Sequence, residues 1–188
     1  MRALRVAAAA AAVAVAALVI LINRHAGTSG TTSGGTTPTV VSVAAAPAGG
    51  VRAGVAAPAF QGTAVDGSTI DLAALRGRVV VINFFATWCS NCREEEPRLQ
   101  ALATADAGRG LTVIGINYRE TGDAVSFLRG LGVSYPAVLD PQSRIGQAYG
   151  VDDLPVTVYV DRAGVVARVI HGQLTDTTLD GVVAQMLG

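Results

Sequence analysis

Arg78-Val79-Val80-Val81-Ile82-Asn83-Phe84-Phe85-Ala86-Thr87-Trp88-Cys89-Ser90-Asn91-Cys92-Arg93 decides the reading of this chain. It passes from an apolar run of strand length directly into the two cysteines and the single tryptophan. Arg78 to Phe85 is β-branched and aromatic, the composition of a central strand covered on both faces. From Asn91 to about Ala105 the pattern turns helical. Leu99 and Leu102 repeat at three, Glu94, Glu95 and Glu96 are expected to fill the first turn, and Pro97 to kink the helix. Cys89 thus falls at a strand-to-helix junction, where unpaired backbone N–H groups and the positive dipole end favour a thiolate.

Working upstream, Phe60 to Ala64 and Ser68 to Asp71 flank Asp66-Gly67, a hairpin signal. Asp71 can cap a short helical turn through Leu75 before Gly77 releases the chain into the strand. Downstream, Leu111 to Asn117 is a second buried strand, and Asp123 to Leu131 is a helix with Val125, Leu128 and Leu131 on one stripe. Ala137 to Leu139 is a short strand and Pro141 to Tyr149 a helix. Val156 to Val160 and Val165 to Ile170 are strands joined through Asp161-Arg162-Ala163-Gly164, and a last helix runs from about Thr175 to Leu187. Hairpin, strand–helix–strand–helix and hairpin–helix, in that order, predict an α/β domain: a mixed central sheet with helices on both faces and an N-terminal β-hairpin extension.

The ends of the chain read differently. Arg2 and Arg5 precede Val6 to Ile22, 17 residues without a charged or polar side chain. As a helix they would span about 25 Å, against a hydrocarbon core of roughly 30 Å, so signal peptide and signal anchor compete. Asn23-Arg24-His25 is a poor cleavage site, which favours an uncleaved anchor over 1–25, although Ala44-Ala45-Ala46 farther on could be cut. The charge asymmetry favours a cytoplasmic N-terminus and an extracytoplasmic domain. Residues 26–53, rich in Gly, Thr, Ser, Ala and Pro, are expected to form a flexible linker, with the folded domain at 54–188.

Composition narrows the chemistry. The 188 residues are 51% hydrophobic with net charge zero, enough for one core, and without a basic block that would bind nucleic acid. A bridge between Cys89 and Cys92 would close too small a loop to serve as a structural staple. A Cys-x-x-Cys pair at a helix start can instead cycle between dithiol and disulfide. Cys89, exposed and activated below the usual thiol pKa of about 8.5, would attack, and Cys92 would resolve the mixed disulfide, with Trp88 shielding the site. Zinc needs two more ligands, and only His25 and His171 remain. Haem attachment needs His where Arg93 stands. A Cu(I) carrier using both thiolates stays open, with His171 as a further donor. Leu154-Pro155 precedes a strand that should be central. The proline either opens it as a cis peptide beside the cysteines or is an ordinary trans residue.

Trp88-Cys89-Ser90-Asn91-Cys92, Pro97 and Leu154-Pro155-Val156-Thr157 together resemble the thioredoxin superfamily. Residues 54–188 are similar to its membrane-tethered extracytoplasmic branch, the TlpA/ResA/DsbE-like proteins. The likeness includes Asn83-Phe84-Phe85-Ala86-Thr87-Trp88-Cys89, Gly115-Ile116-Asn117-Tyr118-Arg119-Glu120, Gly132-Val133-Ser134-Tyr135-Pro136 and Val138-Leu139-Asp140. The resemblance implies a thioredoxin-like fold and a thiol–disulfide oxidoreductase with no cofactor beyond the cysteine pair. It implies protein thiol or disulfide substrates, a membrane electron donor or acceptor and a place in cytochrome c maturation or in disulfide formation. It also makes Pro155 a cis residue and gives Leu154 a contact to the substrate backbone. The buried Asp of cytoplasmic thioredoxin falls on Asn83, which cannot shuttle protons, and the acid that several branch members carry falls on Glu95, a base for Cys92. Residues three apart on a helix are neighbours, so Glu95 is expected over Cys92, with Glu94 and Glu96 pointing elsewhere. Peroxiredoxins share a similar opening hairpin, but their Pro-x-x-x-Thr-x-x-Cys arrangement is absent.

Overall fold

The computed structural model describes residues 40–120 and 122–188. The expected anchor, 1–25, and the first part of the expected linker, 26–39, lie outside the described residues. Strand β4 (Val79–Phe85), buried at every position, is the centre of a five-stranded sheet of order β6-β5-β4-β7-β8. On one side it pairs in parallel with β5 (Leu111–Tyr118), which pairs in parallel with β6 (Ala137–Asp140). On the other it pairs antiparallel with β7 (Val156–Val160), and β7 with β8 (Val166–His171). The β-branched run at 79–82 suits this position, because its side chains alternate between two covered faces.

That alternation sorts the core. Val80, Ile82 and Phe84 face Ile114, Ile116, Phe60, Leu72 and Tyr149, under helix α3 (Arg144–Tyr149) and the opening hairpin. Val79 and Val81 face Leu99 and Leu102 of α1 (Ser90–Asp106) and Leu179, Val182 and Val183 of α4 (Asp176–Leu187). Each fully buried aliphatic or aromatic side chain in these layers contributes about 1.5–3 kcal/mol relative to exposure. Close approach matters at Gly146, where a Cβ would lie 2.2 Å from the Tyr118 ring.

The hairpin forms as expected from β2 (Phe60–Thr63) and β3 (Thr69–Asp71), with Ser68 N–H donating to the Asp66 carboxylate and Gly67 at φ 85°. The expected domain start near Gly54 is corrected. Val40–Val43 forms β1, antiparallel to β2, and Ala44 N–H donates to Ala59 C=O at 2.7 Å. Residues 40–53 therefore pack onto the fold instead of acting as linker, with Val43 and Val51 against the core. This opening segment also touches both margins of the large sheet. Ala64 bridges Val138 of β6 and Val65 N–H donates to Ala137, while Ala56 bridges Val165 and Val55 accepts from Val166 N–H of β8.

Two helix details also differ from expectation. Helix α1 begins at Ser90, which puts Glu94–Glu96 beyond its first turn. In α2 (Ala124–Gly130) the inward residues are Ala124, Phe127 and Leu128, whereas Val125 is exposed. Among the described residues no helix is long and apolar enough to cross a membrane.

Candidate active site

Strand β4 delivers the chain to the sheet edge at Phe85, and a turn closed by Cys89 N–H donating to Ala86 C=O leads into α1. Cys89 is the N-cap of α1, and its sulfur accepts from Cys92 N–H at 3.1 Å. The first sulfur thus lies against orphan amides at the positive end of a 17-residue helix. The two cysteines form a disulfide with Cα atoms 5.3 Å apart. Their access differs: Cys89 keeps 7% of its surface and Cys92 none. Cys89 is less open than the sequence reading expected, yet it is the one an incoming sulfur can reach.

The pair lies in an apolar cluster with Phe85, Ala86, Phe127, Leu128 and Ala137, and Leu154 packs against it. The Leu154–Pro155 peptide is cis and directly precedes β7, and Leu154 packs against the cluster that holds the two cysteines. Trp88 is 67% exposed, so it does not shield the pair; its ring projects into solvent next to Cys89. Arg93 lies over the Phe127 ring, 4.7 Å from its centre.

Next along β4 and α1 come polar groups that are buried. Asn83, paired across the sheet with Thr157, donates its amide to the Thr157 hydroxyl at 3.0 Å and to Glu95 Oε2 at 3.5 Å. Glu95 is 1% exposed and its Oε1 accepts from Leu174 N–H. Burial outweighs these bonds and pushes its carboxyl from 4.5 up to about 7. Glu94 is exposed and accepts from Gln173. Glu96, expected like Glu94 to point elsewhere than over Cys92, does not share the exposure of Glu94. Glu96 is fully buried, its Oε2 accepts from the Tyr135 hydroxyl, and burial raises it to about 7. Tyr135 and Thr157 lay inside the resembling stretches 132–136 and 154–157, but their bonds to Glu96 and Asn83 were not legible there. Glu120 lay inside the resembling stretch 115–120, but its bonds to Thr87 were not legible there.

His171 ends β8 as an exposed residue opposite Val156. Among the described residues no three His, Cys, Asp or Glu side chains converge to hold a metal.

The arrangement provides a reachable sulfur at a helix N-terminus, a buried second sulfur, and a buried carboxyl three residues beyond it. These are the parts of dithiol–disulfide exchange. Known proteins agree. The thiol-disulfide oxidoreductase ResA of Bacillus subtilis is 32% identical over 130 residues, 69% of this chain and 73% of its own. The Bacillus anthracis ResA is 33% identical over 132 residues, 70% and 76%. Among solved structures, a thiol:disulfide interchange protein of the thioredoxin family from Chlorobium tepidum superposes with TM-score 0.65 at 32% identity, covering 71% of this chain and 97% of its own. A secreted Mycobacterium tuberculosis disulfide oxidoreductase homologous to E. coli DsbE gives 0.60 at 28%, covering 67% and 95%. Residues 53–169 match the AhpC/TSA family, and the chain accordingly belongs to that thioredoxin-like family as a thiol–disulfide oxidoreductase of the ResA and DsbE type.

Proposed function

We propose that this protein is a membrane-tethered extracytoplasmic reductant of protein disulfides, serving cytochrome c maturation. The observation that carries the reading is the asymmetry of the pair: Cys89 reachable at the α1 N-terminus, Cys92 sealed, with buried Glu95 three residues further along the same helix. In the reduced protein the Cys89 thiolate attacks one sulfur of a substrate disulfide, a mixed disulfide forms, and the first substrate thiolate leaves. Cys92 then transfers its proton to the Glu95 carboxylate and attacks Cys89. The Cys89–Cys92 disulfide forms and the second substrate thiolate leaves, so two electrons pass to the substrate. A membrane dithiol donor restores the pair. Trp88, exposed beside Cys89, and Leu154-Pro155 offer the surface on which the substrate chain lies. The apolar stretch 6–22 supplies the tether, with the domain outside the cytoplasm.

A reduction potential measured against glutathione tests the direction of flow. A value at or below that of glutaredoxins, about −200 mV, is expected; one near −120 mV would make the protein a disulfide-forming oxidase instead. Stoichiometric Cu(I) uptake, with no dithiol–disulfide cycling, would replace both readings by copper delivery.

A further inference from the structure

Helix α1 carries a second buried carboxyl for which the exchange reaction as described has no use. Glu96 follows Glu95 directly and stands four residues past Cys92, so it lies on the same side of the helix as the resolving sulfur. It is fully buried; Oε2 accepts from the Tyr135 hydroxyl, and Oε1 has no hydrogen-bond partner. Tyr135 is held there from two directions. Gln100 of α1 accepts from the backbone N–H groups of Ser134 at 2.7 Å and Tyr135 at 3.2 Å, fixing this loop to the helix. The ring rests over Gly115, where a Cβ would come within 3.4 Å of it and 3.0 Å of Phe85.

We propose that Glu96 and Tyr135 form a positioning pair whose protonation sets that of Glu95, and through it the pH at which Cys92 gives up its proton. This rests on Glu95 being the base for Cys92. Two carboxylates at successive buried positions repel, so ionising one makes ionising the other more costly, the direction in which the Glu95 charge acts on Glu96. The unpartnered Oε1 acts in the same direction, since a full charge on a half-satisfied buried group is costly. The Tyr135 hydroxyl opposes this by donating to the anion, which keeps Glu96 able to titrate. Burial and the neighbouring carboxyls hold the phenol itself neutral and a donor.

Other charged or titratable groups face this centre. On α1 these are Glu95 and Arg98, whose charge favours ionised Glu95. From β7 comes Tyr159, packed in the same cluster as Tyr135 and sensing Glu95, with Arg168 of β8 and Asp180 of α4 acting on Tyr159. Glu94, exposed and bonded to Gln173, is the natural control.

The chain has only four glutamates, at 94, 95, 96 and 120, so each carboxyl can be followed alone. Full-length chain labelled with [13Cδ]glutamate, solubilised in detergent with its disulfide intact, is titrated by NMR, and single Glu→Gln variants assign the signals. Glu96→Gln is expected to lower the Glu95 midpoint by about one pH unit. Tyr135→Phe is expected to raise the Glu96 midpoint and lower that of Glu95, and Glu94→Gln to move neither. A Glu95 curve unmoved in both Glu96→Gln and Tyr135→Phe, with native near-ultraviolet circular dichroism, overturns the pair. Should Glu96→Gln fail to fold, Tyr135→Phe alone decides. Thiolate absorbance of the reduced protein then separates the two readings. Glu96→Gln should shift the Cys92 midpoint in wild type and have no effect in a Glu95→Gln background. A midpoint indifferent to Glu95→Gln itself overturns Glu95 as the base, whatever the carboxyl titration gives.

Discussion

Thr87 and Glu120 are joined twice. The Thr87 backbone N–H donates to Glu120 Oε1 at 2.7 Å and its hydroxyl donates to Oε2 at 2.9 Å, with Asn117 donating to the same carboxylate. The turn that presents Cys89 is thereby tied to the loop after β5, across 33 residues of sequence. Glu120→Ala leaves both Thr87 donors without their acceptor and should cost about 1–3 kcal/mol of stability. It should also slow mixed-disulfide formation at Cys89 several-fold, while leaving the pH midpoint of exchange unchanged. Chemical denaturation and stopped-flow exchange with a model disulfide check the two parts. An unchanged rate would show that the brace is structural only.

The accessibility difference gives a second expectation. Cys92→Ser should accumulate a mixed disulfide through Cys89, whereas Cys89→Ser, left with a sulfur that has no surface, should trap little. Mass spectrometry after non-reducing quench reads both. Faster alkylation of Cys92 than of Cys89 in the reduced protein would reverse the assigned roles.

The pair, the central strand, the 60–71 hairpin and the 154–157 stretch were legible because their signals are local: two cysteines two residues apart, a β-branched run, Asp-Gly, Leu-Pro. What escaped was set by partners far along the chain. Val40–Val43 is a strand because β2 lies alongside it, and its Ala-, Gly- and Thr-rich surroundings disguise that. Glu96 reads as one more solvated acid until the Tyr135 hydroxyl, 39 residues away, is brought to it. In α2 the stripe Val125, Leu128, Leu131 was a plausible helical period, but Phe127 reaches Phe85 in a stacked contact at 5.8 Å and fixes the rotation of the helix.

Stability should depend on pH through the two buried glutamates. Both have folded-state values raised from 4.5 to about 7, so the folded protein binds their protons more tightly than the unfolded chain does. Their contribution is complete below about pH 4.5 and is lost as pH rises through 7. One such shift corresponds to on the order of 3 kcal/mol, and the coupled pair contributes less than twice that. Urea denaturation of the oxidised protein between pH 4.5 and 8 should show falling stability, with a flatter slope in Glu95→Gln and in Glu96→Gln. A rise across this window would contradict the assignment.

Gly146→Ala tests the packing behind β5. The new methyl would overlap the Tyr118 ring, whose hydroxyl is held by Val151 C=O at 2.7 Å, so the ring cannot swing away without losing that bond. A loss of about 1–3 kcal/mol is expected, with the redox potential unaltered. Thermal denaturation and a redox titration of the same variant measure the two.

The contacts of the opening segment with both margins of the large sheet bear on solubility. A β-strand left open on its outer side is a template on which another extended chain can add. Residues 64–65 cover β6, and residues 54–56 cover the start of β8, whose remaining length carries Arg168 and the exposed His171. Because one continuous stretch guards both rims, removal of residues 54–65 would bare two strand edges at once.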